Sequence, residues 1–196
     1  MTVTRANAPV FALPTEWHGI TFRSRLEARW AIFFDTARIR WLYEPEGYNL
    51  PSGNYLPDFQ LPELRTWIEV KPEGHNERAE TLMGELCQAT EMNGFVAYGY
   101  PDPDRVESWG PAGGCGNYTG GELILSNGDM WDNGYAFCEC FICGGIGIEF
   151  EARSGRLKCK HGGSDKSHNG GSPTLRAAYT AGWSARFENG VATWQR

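Results

Sequence analysis

Between residues 24 and 100 the spacing of apolar side chains passes from helical to alternating and back again. That order constrains the fold more than any other feature of the chain. Ser24 stands three residues before Glu27, the spacing of a capping box at a helix start. Leu26, Trp30, Phe33 and Ala37 then recur at helical intervals, which predicts a helix over 24–37. Residues 39–43 predict a strand that stops before Pro45, and Tyr55 to Leu61 predicts a second. A turn at 62–65 leads into a third strand, Thr66 to Val70. Good helix formers fill 76–93, with Leu82, Leu86 and Ala89 on one face, and Asn93-Gly94 is expected to end that helix. Phe95 to Tyr100 reads as a further strand before Pro101-Asp102-Pro103. Helix, three strands, helix and strand in that order predict an α/β (α+β) fold, a mixed sheet with helices packed on its faces.

After Pro103 the character changes, which predicts two units, residues 1–104 and 105–196. Residues 110–121 hold six glycines and read as a connection. Glu122 to Leu125 and Gly134 to Phe137 read as short strands around an Asn127-Gly128 turn, and 174–187 as a final helix. Four of the six cysteines fall between 138 and 159. Without a secretion signal, such clustering favours a metal over disulfides. Cys140 and Cys143, followed by Gly144, have the form of a zinc knuckle, and Cys159 with His161 follows sixteen residues after Cys143. Four ligands at that spacing fit a structural Zn²⁺ site of the zinc-ribbon kind, which would give a small glycine-rich unit its folding energy. The second pair is one residue short of CxxC, so the fourth ligand stays open among His161, Cys138 and His168. Cys87 and Cys115 have no partner in this scheme.

Asp58 and Glu69 stand eleven residues apart on what read as two neighbouring strands, and Lys71 follows Glu69 by two. Opposed side chains on one face of paired strands lie roughly 4.5–5.5 Å apart. Two carboxylates placed so can converge on one hard cation, and Lys71 points to the same side. Ile68 and Val70 alternate with them and are expected to face the core. Two oxygen ligands plus water and phosphate suit Mg²⁺ or Mn²⁺, and the lysine can offset charge developing on a phosphate. The plain alternative is a solvated hairpin with ordinary surface charges. Glu27 has two readings, a third acid for the site or the capping partner of Ser24. Glu44 and Glu46 flank Pro45 and read as turn residues, and His75 as a loop histidine.

The net charge of −6 argues mildly against indiscriminate nucleic-acid binding, yet the charge is uneven. Residues 22–40 carry five arginines, among them Arg23, Arg25 and Arg29. Residues 106–150 carry six acids and no lysine or arginine. Residues 151–186 carry seven basic side chains, including Arg153, Arg156, Lys158 and Lys160. These two basic runs are candidate contacts for a nucleic-acid backbone. No window approaches eighteen apolar residues, so no membrane span is expected. Residues 1–5 lack an apolar signal core, and the chain reads as soluble and cytoplasmic.

Pro57-Asp58 and Glu69-Val70-Lys71 resemble the two halves of the PD-(D/E)XK nuclease motif of the restriction-endonuclease-like superfamily. The resemblance covers roughly residues 20–101. The run Phe22-Arg23-Ser24-Arg25-Leu26-Glu27-Ala28-Arg29-Trp30, followed by Tyr43-Glu44-Pro45, looks like small phage-encoded nucleases of this group, and like its transposon-end and resolvase-type members. The resemblance implies an αβββαβ core and a Mg²⁺-dependent endonuclease acting on DNA, in the host cytoplasm if phage-encoded. It implies Asp58 and Glu69 as metal ligands, Glu27 joining them, Lys71 supporting attack, and a possible homodimer. The competing readings are a catalytically inactive nuclease-fold protein that binds nucleic acid or a host protein through its zinc module, and a purely structural zinc-ribbon adaptor.

Overall fold

The computed structural model describes residues 14–72, 74, 76–102, 121–127, 130–131, 135–140, 142–150, 168–169, 171–188 and 191–193. Among the described residues the fold is mixed α and β, with a mixed sheet at its centre and three helices.

Ser24 is extended, and its Oγ accepts from the Glu27 amide at 3.2 Å, starting helix α1 (Arg25–Thr36). Strand β3 is only Leu42–Tyr43, shorter than expected, because residues 39–41 hold their packing without a ladder partner. The stretch expected as one strand from Tyr55 is broken. A hairpin, β4 (Tyr48–Leu50) with β5 (Gly53–Tyr55), comes first, and β6 (Phe59–Leu61) begins after Pro57 and Asp58. Proline has no amide to give a ladder, so the strand cannot run through it. Strand β7 (Thr66–Lys71) is followed by α2 (Glu77–Thr90) and then β8 (Asn93–Tyr98), parallel to β7. The α2 helix ends on Glu91 in the left-handed region (φ 52°), not on Asn93-Gly94. Gly94 belongs to β8 for a packing reason. A Cβ there would lie 2.4 Å from Met83 Cγ and 2.8 Å from Cys87 Sγ of α2.

Strands β9 (Gly121–Ile124) and β10 (Met130–Trp131) form the hairpin around residues 126–127 and complete a six-stranded sheet, in the order β10-β9-β8-β7-β6-β3. The two outer strands lie beyond the boundary expected near residue 104, yet they extend the sheet built before it. Strand β11 (Tyr135–Cys140) does not pair across that turn. It joins β12 (Ile146–Phe150) and β13 (His168–Asn169) in a separate sheet. Ser172 caps helix α3 (Pro173–Ser184), with proline in the first turn where its missing amide costs nothing.

Residues 15–22, for which no strand was expected, make a hairpin of β1 (Thr15–Trp17) and β2 (Ile20–Phe22). Its turn uses positive φ at His18 and Gly19. Strand β15 (Val191–Thr193) lies parallel to β1 and antiparallel to β14 (Arg186–Glu188), so segments from both halves share one small sheet.

The main sheet is buried on both faces. Ile68, Val70 and Phe95 pack under α1 with Trp30, Phe33, Phe34 and Phe59, and Phe137 and Tyr179 complete that core. Trp67 and Val96 face α2 with Leu82, Met83, Leu86 and Cys87. Both faces of β7 are therefore covered. Its neighbour β8 is parallel, and strands in such pairs are covered on both sides.

Candidate active site

The register of β6 and β7 pairs Phe59 with Ile68. One step further along the ladder sets Asp58 opposite Glu69, and Asp58 Oδ2 accepts the Val70 amide at 2.7 Å. Glu69 alternates with Ile68 and Val70, which places it on the Trp67 side. There Tyr55 of β5 donates its hydroxyl to Glu69 Oε2 at 2.8 Å, and Lys71 Nζ pairs with Glu69 Oε1. The hairpin absent from the sequence reading is thus what supplies a donor to Glu69. Asp58 is 2% and Glu69 4% exposed, which removes the reading of both as solvated surface charges.

Glu27 lies in the first turn of α1 and is also buried. Its Oε1 accepts from Ser24 Oγ at 2.7 Å, and its Oε2 accepts from Tyr43 Oη at 2.6 Å and from the Arg23 amide at 3.1 Å. The capping role expected of Glu27 is seen, and its carboxylate lies close enough to act on Asp58. The reciprocal bond runs to the Arg23 amide, one residue before the cap.

Arg23, expected as a nucleic-acid contact, bridges two carboxylates within the protein. One guanidinium nitrogen donates to Asp58 Oδ1 at 2.8 Å, and Nε lies 2.5 Å from Glu44 Oε1. Glu44 is the residue the sequence reading set aside. Its amide donates to the Asp58 carbonyl at 2.9 Å, and its φ of 41° is unusual for a non-glycine residue. Left-handed backbone before a proline is costly, and such outliers gather at functional sites. Pro45 marked the turn in the sequence, but nothing local in it showed the direction of the side chain. Arg29 also has protein partners. It donates to the carbonyls of Gly182 and Trp183 at the end of α3. Arg25 is exposed on the first turn of α1.

Burial, and then the charge of Glu69, raise the Asp58 carboxyl to a pKa of about 8. The Val70 amide and Lys71 pull the other way without prevailing. Burial and the Glu69 charge likewise keep the Tyr55 phenol protonated, well above its usual range. With Asp58 protonated, three carboxylates (Glu27, Glu44, Glu69) face two side-chain cations (Arg23, Lys71), and loss of the Asp58 proton raises the surplus from one negative charge to two. That surplus fits one divalent cation. Among the described residues no three His, Cys, Asp or Glu side chains form a ready-made metal cage.

In the second candidate site, Cys138 and Cys140 are buried on β11, two residues apart and so on the same side of the strand. Cys143 is exposed in the turn to β12. The Cys140 carbonyl accepts from the Gly144 amide at 2.7 Å, and its amide donates to the Gly145 carbonyl at 2.8 Å, with Gly144 left-handed at φ 70°. The β11–β13 register sets the backbone of His168 across from Cys140. Cys159, His161, Arg153, Arg156, Lys158 and Lys160 lie outside the described residues, as do His75 and Cys115.

No protein-family model, curated protein or solved structure matches the chain. Among the described residues no helix is long and apolar enough to cross a membrane.

Proposed function

We propose that the chain is a metal-dependent nuclease of the PD-(D/E)XK type that hydrolyses DNA phosphodiester bonds. One observation carries the reading. Asp58 and Glu69 are both buried and stand opposite each other on paired strands, with Lys71 beside Glu69, and burial together with the Glu69 charge raises the Asp58 pKa, so a bound cation would favour the pair as anions. The succession of α1, β3, β6, β7, α2 and β8 supports the same reading, since it follows the order of that superfamily's core with the β4–β5 hairpin inserted.

Asp58 and Glu69 would hold Mg²⁺ or Mn²⁺, with Asp58 giving up its proton on binding. The cation supplies Lewis-acid polarisation of the phosphoryl oxygen and draws charge from the leaving group. Tyr55 fixes Glu69 in place by its hydroxyl bond. Lys71, held beside Glu69, offsets the negative charge that grows on the phosphate in the transition state. Arg23 keeps Asp58 and Glu44 together at the rim. Asp58→Asn and Glu69→Gln are expected to abolish Mg²⁺-dependent cleavage of plasmid or branched DNA while keeping the circular-dichroism spectrum. Cleavage unchanged in both variants would overturn the assignment.

The partners already present favour a second reading, a nuclease fold that binds nucleic acid or a protein without turnover. Both Asp58 oxygens and both Glu69 oxygens accept from protein groups. This reading expects no cleavage of duplex, single-stranded or branched DNA with either metal. For the cysteine unit we propose a structural Zn²⁺ held by Cys140, Cys143, Cys159 and one of His161, Cys138 or His168. The closed Cys140–Gly145 turn is what supports it. Metal analysis of purified protein is expected to give one zinc per chain, and none would refute it.

A further inference from the structure

Strands β7 and β8 are parallel with Lys71 beside Tyr98, and the Gly99 amide donates to the Lys71 carbonyl at 2.8 Å. The chain after Tyr98 therefore leaves the sheet at the same end as Lys71. Tyr100 follows at once and is 46% exposed. Trp183, from the last turn of α3, stands edge-on to it at 5.8 Å between ring centres and is 47% exposed. The Arg29 guanidinium lies 4.9 Å from the Tyr100 ring centre and fixes the pair from beneath through the Gly182 and Trp183 carbonyls. Burial lowers the Arg29 pKa, and the charges of Arg186 and Arg25 lower it further, so three arginines share this corner. Half-exposed aromatic rings beside cations offer a surface on which a base with its phosphate can settle.

We propose that Trp183, with Tyr100 set edge-on against it and held by Arg29, offers a ring on which an unpaired base of single-stranded DNA stacks on its way to the carboxylate site. The chemistry selects that occupant. A base has a π-face to lay on a ring, and its phosphates answer the charge of Arg25, Arg29 and Arg186. A base inside a duplex has both faces covered by its neighbours, so only a frayed, flapped or single-stranded segment can use the rings. The inference rests on the reading of Asp58 and Glu69 as a phosphodiester site, but binding can be tested apart from cleavage.

The test measures fluorescence anisotropy in buffer without added Mg²⁺ or Mn²⁺, where metal-dependent cleavage cannot proceed, with an oligo-dT and a blunt two-stranded duplex as probes. Loss of one stacked base is worth about 5- to 150-fold in affinity. Tyr100→Ala/Trp183→Ala is expected to lose that much for oligo-dT and to hold the duplex as wild type does. Tyr100→Phe/Trp183→Phe, which keeps both rings, is expected to bind as wild type does. Should the double alanine variant melt early, Trp183→Leu against Trp183→Phe decides the same question at similar volume. Equal losses on both probes, no loss on either, or a wild type that binds neither overturns the platform. Selective loss in a protein that never cleaves would keep the platform and remove the nuclease reading.

Discussion

Asp58 sits between opposing demands. Burial and the Glu69 charge favour its proton, while the Val70 amide and Lys71 favour the anion, and the balance lies near a pKa of 8. In an unfolded chain the same group ionises near 3.8. Between those two values the folded chain binds more protons than the unfolded one, so this group lowers stability as pH rises through the window, and its effect levels off above about 8. Asp58→Asn lacks that decline. Urea melts are expected to show the variant gaining on the wild type as pH rises from about 4 to about 8, with no further gain above. Apparent Mg²⁺ affinity, read by calorimetry, is expected to rise over the same range, because the cation displaces a proton. Asp58, Glu69 and Lys71 were legible in the sequence because spacing alone sets them near one another. Tyr55 and Arg23 were not, since they reach Glu69 and Asp58 across 14 and 35 residues of chain. Glu44 was misjudged because Pro45 announces a turn but not the side on which its carboxylate lands.

Among the elements, helix starts were the most legible features. Ser24 and Glu27 meet as their spacing requires, and Ser24→Ala is expected to cost about 1 kcal/mol in chemical denaturation. Because Ser24 Oγ also donates to Glu27, the variant should loosen the acid beside Asp58 and reduce cleavage as well. Helix ends were less legible, since glycine has two uses. Asn93-Gly94 carries the composition of a helix stop, but Gly94 is small so that Met83 and Cys87 can lie against β8. Gly94→Ala is expected to destabilise by about 1–3 kcal/mol, as overpacking does. Gly182→Ala should cost more. Its Cβ would fall 2.8 Å from the Arg29 carbonyl, and backbone yields less readily than a methionine side chain. The β1–β2 and β4–β5 hairpins escaped the sequence reading because strands of three residues are too short for alternation to register.

The whole molecule was the least legible scale. A shift in composition near residue 104 reads as a boundary, but strand pairing is decided by partners and not by composition. Strand β9 adds to β8, Phe137 enters the core under α1, and α3 lays Tyr179 against Phe33 at 4.6 Å between ring centres. A fragment of residues 1–104 is expected to lack a cooperative thermal transition, whereas the full chain melts in one. A fragment that melts sharply would restore the boundary. The parallel pairing of β1 with β15 carries a further consequence for biosynthesis. Thr15–Trp17 leaves the ribosome long before Val191–Thr193 can reach it, and α3 emerges only shortly ahead of that strand. Until then Trp30, Phe33 and Phe34 lack the cover that α3 gives them through Tyr179, so part of this aromatic core closes only when synthesis of the described residues is nearly over.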